Sequence, residues 1–120
     1  MNDVIISLDL KKNRIRFHKE TLHRLGDPNY IQLLFNPDTK TIAFKCLDKS
    51  EPMSFKLSTA TVGPDNSVEL YSSCFLARIQ DVFSELDSNV TYRLTGSIVE
   101  SERLAFFPLN TLQRVDHSEV

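Results

Sequence analysis

Arg14-Ile15-Arg16-Phe17-His18-Lys19-Glu20-Thr21-Leu22-His23-Arg24-Leu25-Gly26 is the stretch on which the fold turns. Its first four residues alternate cationic and apolar side chains, the period-two signature of a strand with one buried face. From His18 the period changes. Leu22 and Leu25 lie three apart, on one face of a short helix. Gly26 stands where helices commonly end in a left-handed residue, and Pro28 prevents continuation. Tyr30-Ile31-Gln32-Leu33-Leu34-Phe35 then reads as a strand. Asn36-Pro37-Asp38-Thr39-Lys40 has turn chemistry, and Thr41-Ile42-Ala43-Phe44-Lys45 returns as its hairpin partner.

The same succession recurs. Val68-Glu69-Leu70-Tyr71 reads as a strand, and Ser72-Ser73 offers an N-cap. Phe75, Leu76, Ile79, Val82, Phe83 and Leu86 recur at spacings of three and four, which predicts an amphipathic helix ending near Asp87. Residues 90–98 and 103–109 form a hairpin across Glu100-Ser101-Glu102, with Gly96 as a bulge or bend. Arg14-Ile15-Arg16-Phe17 thus corresponds to Val68-Glu69-Leu70-Tyr71, and Thr41-Ile42-Ala43-Phe44 to Arg103-Leu104-Ala105-Phe106. One such unit has too small a core to fold alone, but two can bury each other's helix and hairpin. The expectation is a single α+β domain over residues 1–120, opened by the strand Val4-Ile5-Ile6-Ser7-Leu8. Unit one covers 4–45 and unit two 67–109. Residues 46–66 are a connector with one short strand at 53–57, and 110–120 are a frayed tail.

Composition narrows the function classes. Of 120 residues, 41% are hydrophobic and 25% charged, ordinary for a folded domain. No apolar run approaches the roughly 20 residues a membrane span needs. The start, Met1-Asn2-Asp3-Val4, lacks the basic region of a signal peptide, so a cytoplasmic protein with no membrane partner is expected. Cys46 and Cys74 are expected to be small packed hydrophobes, Cys74 in the first turn of the second helix. Net charge is −2, unevenly spread: residues 1–60 carry an excess of three positive charges and 61–120 an excess of five negative. Such a division suits a polyanion-binding face or a soluble surface with a dipole.

Catalytic and cofactor signatures are absent. No Cys-x-x-Cys, His-Glu-x-x-His, Walker loop or Gly-x-Ser-x-Gly occurs, and three glycines cannot build a phosphate cradle. His18 and His23 are five apart and do not share a helix face, so no metal pair is expected; His18 is placed to cap the helix or meet a phosphate. Asp81, Glu85, Glu100 and Glu102 are spaced as exposed surface rather than as an acid-base pair. The expectation is a protein that is not an enzyme and needs no cofactor or metal.

Residues 13–45 resemble the AbrB/MraZ-like swapped-hairpin family, which reads roughly Gly-Arg-Ile-x-Ile-Pro, a short helix ending in Leu-Gly, then a β-hairpin. Here the stretch is Asn13-Arg14-Ile15-Arg16-Phe17-His18, then Leu25-Gly26 and the hairpin; Asn13 replaces the Gly and His18 the Pro. The MraZ branch carries two such units in one chain. The resemblance implies two β-α-β-β units packed as a pseudo-symmetric swapped-hairpin-like barrel, with DNA binding and transcriptional control. Arg14, Arg16, Lys19 and Arg24 match or neighbour the basic positions of the family's DNA face. The second unit keeps none of them, with Val68 at the place of Arg14 and Ser73 at that of Lys19. With the segments Leu25-Gly26-Asp27-Pro28-Asn29-Tyr30 and Tyr92-Arg93-Leu94-Thr95-Gly96, the whole chain also looks like small proteins of Gram-positive bacteria and their mobile elements, a likeness that implies no activity.

Residues 11–24 hold six cations, Lys11, Lys12, Arg14, Arg16, Lys19 and Arg24, against one Glu20. These six are the candidate nucleic-acid-binding residues, since guanidinium groups fixed on a strand suit phosphates or a guanine edge. A solvated strand face with snorkelling stems is the other reading of the same residues. The expected function is a non-enzymatic binding protein, monomer or homodimer. Its partner is double-stranded DNA in one reading and a protein in the alternative, an interaction module that ignores DNA.

Overall fold

The computed structural model describes residues 3–115. Ten strands form one sheet: β1 (Asp3–Asp9), β2 (Arg14–His18), β3 (Tyr30–Asn36), β4 (Thr41–Leu47), β5 (Ser54–Lys56), β6 (Thr61–Val62), β7 (Ser67–Tyr71), β8 (Thr91–Val99), β9 (Leu104–Pro108) and β10 (Gln113–Val115). Among the described residues two α-helices, α1 (Lys19–Arg24) and α2 (Ser73–Val82), and short 3-10 turns interrupt them. The strand order is β5-β3-β4-β9-β8-β1-β2-β7-β6, with β10 on β8. The first and last strands of this path, β5 and β6, are separated in the chain by residues 57–60 alone. The sheet therefore curls back on itself into a small, mostly β, nearly closed barrel rather than an even α+β mixture.

Alternation along the strands explains the barrel's inside. In β2, Ile15 and Phe17 are buried while Arg14 and Arg16 face outward. Inward residues of neighbouring strands meet in rows, such as Ile6, Phe17 and Val68 across β1, β2 and β7. Rings form a chain through the centre: Phe44 lies 5.1 Å from both Phe17 and Phe107, centroid to centroid. Strand-helix-strand-strand occurs twice, as β2-α1-β3-β4 and β7-α2-β8-β9.

Local chemistry fixes the element ends. In α1 the His18 ring nitrogen Nδ1 accepts from the Glu20 N–H at 3.0 Å, as the helix-start position implied. Its far end is a Schellman motif: Gly26, at φ +87°, donates to the His23 carbonyl, and Asp27 donates to the Leu22 carbonyl at 2.8 Å. The Asn36 side chain accepts from the Asp38 and Thr39 N–H groups and closes the β3–β4 turn. Ser72 caps α2 by accepting from the Phe75 N–H at 3.2 Å. Ser72→Ala is expected to cost about 1 kcal/mol; a urea unfolding midpoint equal to that of the unaltered chain would contradict this.

Four expectations need correction. The second helix ends at Val82, not near Asp87. Phe83 leaves the helical region at φ −119°, ψ 79°, yet Phe83 and Leu86 still pack on the core. Their spacing recorded core contact and not helix. The connector holds two strands, β5 and β6, where one was expected. Residues 109–115 are no frayed tail: Leu109 is buried, and β10 pairs with β8. Residues 116–120 of that expected tail lie outside the described residues. Finally, Cys46 is buried but Cys74 is exposed, because the start of α2 turns it away from the barrel. Burial pushes the Cys46 thiol upward, so it is an inert core group.

Candidate functional site

The outer face of β8, β1 and β2 carries a cleft of about 520 Å³. Its composition follows from register. Ser7 of β1 sits opposite Arg16 on one side and Arg93 of β8 on the other. One row along, Asp9 sits between Arg14 and Thr91. Side chains directly opposite on neighbouring antiparallel strands lie roughly 5 Å apart at Cβ. A small Ser between two Arg therefore leaves a hollow walled by guanidinium groups. Lys11 and Lys12, from the β1–β2 turn, close one end together with Asn89.

The turn that carries the two lysines is built by Asp9 and Asn13. Asp9 Oδ1 accepts from the Lys12 N–H at 3.1 Å, and Asn13 takes the left-handed φ of 54° that Asn tolerates better than most residues. The other oxygen of Asp9 pairs with Arg14 Nη2 at 3.0 Å.

Beneath the arginines lies Glu69 of β7, facing outward by alternation yet only 7% exposed. Its Oε2 accepts from Arg16 Nη2 at 2.8 Å and from Arg14 Nη1 at 3.4 Å. The Tyr71 hydroxyl donates to Oε1 at 3.1 Å. Gly63 completes the cover; a Cβ there would stand 2.8 Å from Oε2. Burial alone would raise the Glu69 carboxyl. The hydrogen bonds from Arg16 and Tyr71, with the charges of Arg14 and Arg16, outweigh it and hold the group below its ordinary range. Both arginines meet Glu69 through terminal nitrogens, and each Nε stays buried without a partner.

Four of the six candidate cations, Lys11, Lys12, Arg14 and Arg16, line the cleft. Lys19 and Arg24 do not; they lie on α1 and border other hollows. Arg93 was not among the candidates. Its single charge in a β strand gives no local signal, and only the pairing of β8 with β1 brings it to Arg16's neighbourhood. Glu69 was likewise invisible as a site residue, because it lies 53 residues from Arg16 in the chain. Five cations thus meet two carboxylates, Asp9 and Glu69, both already engaged by Arg14 and Arg16. The excess positive charge sits on exposed Lys11, Lys12 and Arg93, which pair with no carboxylate among the described residues. The arrangement can hold an anion. Among the described residues no cluster of metal-ligating side chains occurs, and no helix is long and apolar enough to cross a membrane. No protein-family model, no curated protein and no solved structure matches the chain.

Proposed function

We propose that this chain is a non-enzymatic cytoplasmic DNA-binding protein, a transcriptional regulator of swapped-hairpin type, that grips the duplex backbone through the β8-β1-β2 cleft. The observation that carries the reading is the convergence of Lys11, Lys12, Arg14, Arg16 and Arg93 on one face. Arg14 and Arg16 are held in place by Asp9 and Glu69, while Lys11, Lys12 and Arg93 supply charge for phosphates. The swapped-hairpin part of the reading rests on the resemblance of residues 13–45 to the AbrB/MraZ-like family, and a small, mostly β, nearly closed barrel is compatible with it.

Fluorescence anisotropy of a labelled duplex, including the region upstream of the chain's own gene, tests the reading at low and physiological salt. Affinity is expected to fall linearly with salt on logarithmic axes, and Lys11→Ala with Lys12→Ala to reduce that slope by about two. Arg24→Ala, off the cleft, is expected to change the slope less than either lysine does. Absence of binding at low salt would overturn the proposal. A protein partner is then favoured by a different feature, the apolar hollow on the β3–β4 hairpin where Leu34 stands 37% exposed beside Phe35 and Ala43.

A further inference from the structure

We infer that the cleft contains a seat for a single phosphoryl group, held between Arg16 and Arg93 above Ser7. The inference rests on the anion-binding reading of this cleft and names the atoms that would do the binding. Register puts the three residues in one transverse row, with Ser7 paired to Arg16 on β2 and to Arg93 on β8. The row continues to Glu69, which is paired with Arg16.

Each member of the row has a distinct part. Glu69 takes one nitrogen of Arg16, Nη2, at 2.8 Å and so fixes the plane of that guanidinium. The other terminal nitrogen, Nη1, has no partner among the described residues. Arg16 is 37% exposed, enough to present that nitrogen to the cleft. Arg93 is exposed and unpaired among the described residues, a second guanidinium facing the first across a serine. The Ser7 hydroxyl makes no side-chain hydrogen bond among the described residues and stands as a further donor on the floor. Two guanidinium groups and a hydroxyl converging on one hollow match a tetrahedral oxyanion, whose oxygens accept from all three. Lys11 and Lys12 at the cleft's end add attraction without fixed geometry.

The phosphoryl group can belong to a nucleic-acid backbone or to a small phosphorylated molecule, and the two are separable. The full chain, labelled with ¹⁵N, is titrated with inorganic phosphate and separately with a short duplex, alongside Arg93→Gln and Ser7→Asp. Arg93→Gln touches an exposed side chain. Ser7→Asp places a carboxylate in the seat itself, so it is expected to block phosphate while leaving thermal unfolding at or above that of the unaltered chain. With the seat present, inorganic phosphate shifts the Ser7, Arg16 and Arg93 resonances. Arg93→Gln then weakens binding about tenfold, and Ser7→Asp removes it. Duplex binding with its salt slope reduced by about one in Arg93→Gln assigns the seat to a backbone phosphate. Phosphate binding without duplex binding keeps the seat, assigns it to a small phosphorylated ligand and sinks the DNA reading. Duplex binding indifferent to Arg93→Gln and Ser7→Asp, while phosphate shifts the three resonances, keeps the seat for a small phosphorylated ligand and leaves the DNA reading resting on Lys11 and Lys12. No shift of these resonances at millimolar phosphate, with no effect of either variant on duplex, overturns the seat.

Discussion

Gly96→Ala is expected to destabilise the protein by about 3 kcal/mol or prevent its folding, the upper end of what overpacking does. Gly96 lies on β8 at the inward parity of Tyr92 and Leu94, and it pairs with Val4 on β1. A methyl group here would overlap the carbonyl oxygen of Phe106 and the ring of Phe107. Neither neighbour can yield cheaply. The Phe106 carbonyl belongs to β9, paired with β8 from Ser97 to Val99, so moving it opens that ladder. The Phe107 ring is fully buried and stacked at a tilt on Phe44. Nor is strain in φ the cause, since Gly96 is not among the positive-φ residues; the constraint is space. Urea unfolding checks the point, with Ser97→Ala on the same strand as the control, expected to change stability by about 0.5 kcal/mol or less. A Gly96→Ala chain with the control's midpoint would show that β9 packs less closely than described.

Gly96 also marks where sequence reading reaches its limit. Its place in a strand was legible, as a bulge or bend, but its actual role depends on a ring eleven residues away in the chain. Features set by local chemistry were readable: the alternation at Arg14-Ile15-Arg16-Phe17, the Gly26 stop, the Ser72 cap and the Asn36 turn. Features set by what packs across the barrel were not. Phe83 and Leu86 carry a helical spacing because the core lies on their side, though the helix has ended. The β10 strand has too few apolar residues to announce itself and exists because β8 offers it an edge. Thr111 secures the approach to that edge, its hydroxyl accepting from the Thr95 N–H at 3.1 Å between the stretches where β9 and β10 pair with β8. In the cleft, the basic run 11–24 identified one wall, whereas Arg93 and Glu69 needed the strand register.

Glu69→Ala is expected to cost about 3 kcal/mol, the lower end of what removing one partner of a buried ion pair does, because Arg16 keeps some contact with water. The loss is not the strength of the pair itself. It is the penalty of leaving the half-buried guanidinium groups of Arg14, 17% exposed and left with Asp9 alone, and of Arg16 without their acceptor. Glu69→Gln keeps an acceptor for Tyr71 and Arg16 and is expected to lose less. The charge itself shows in acid. Because the folded protein holds the Glu69 carboxyl below its ordinary range, its contribution is complete above the unfolded value of about 4.3. That contribution drains as pH falls from there through the lower folded value, since protonation then favours the unfolded chain. Glu69→Gln removes this part of the pH dependence, so its urea midpoint should fall less between neutral pH and about pH 3 than that of the unaltered chain. Equal acid sensitivity in the two chains would mean that Arg14 and Arg16 do not hold the carboxylate. Arg16 would then be free to face the cleft with all of its charge, while Arg14 keeps Asp9, and the duplex salt slope of the unaltered chain should already include Arg16.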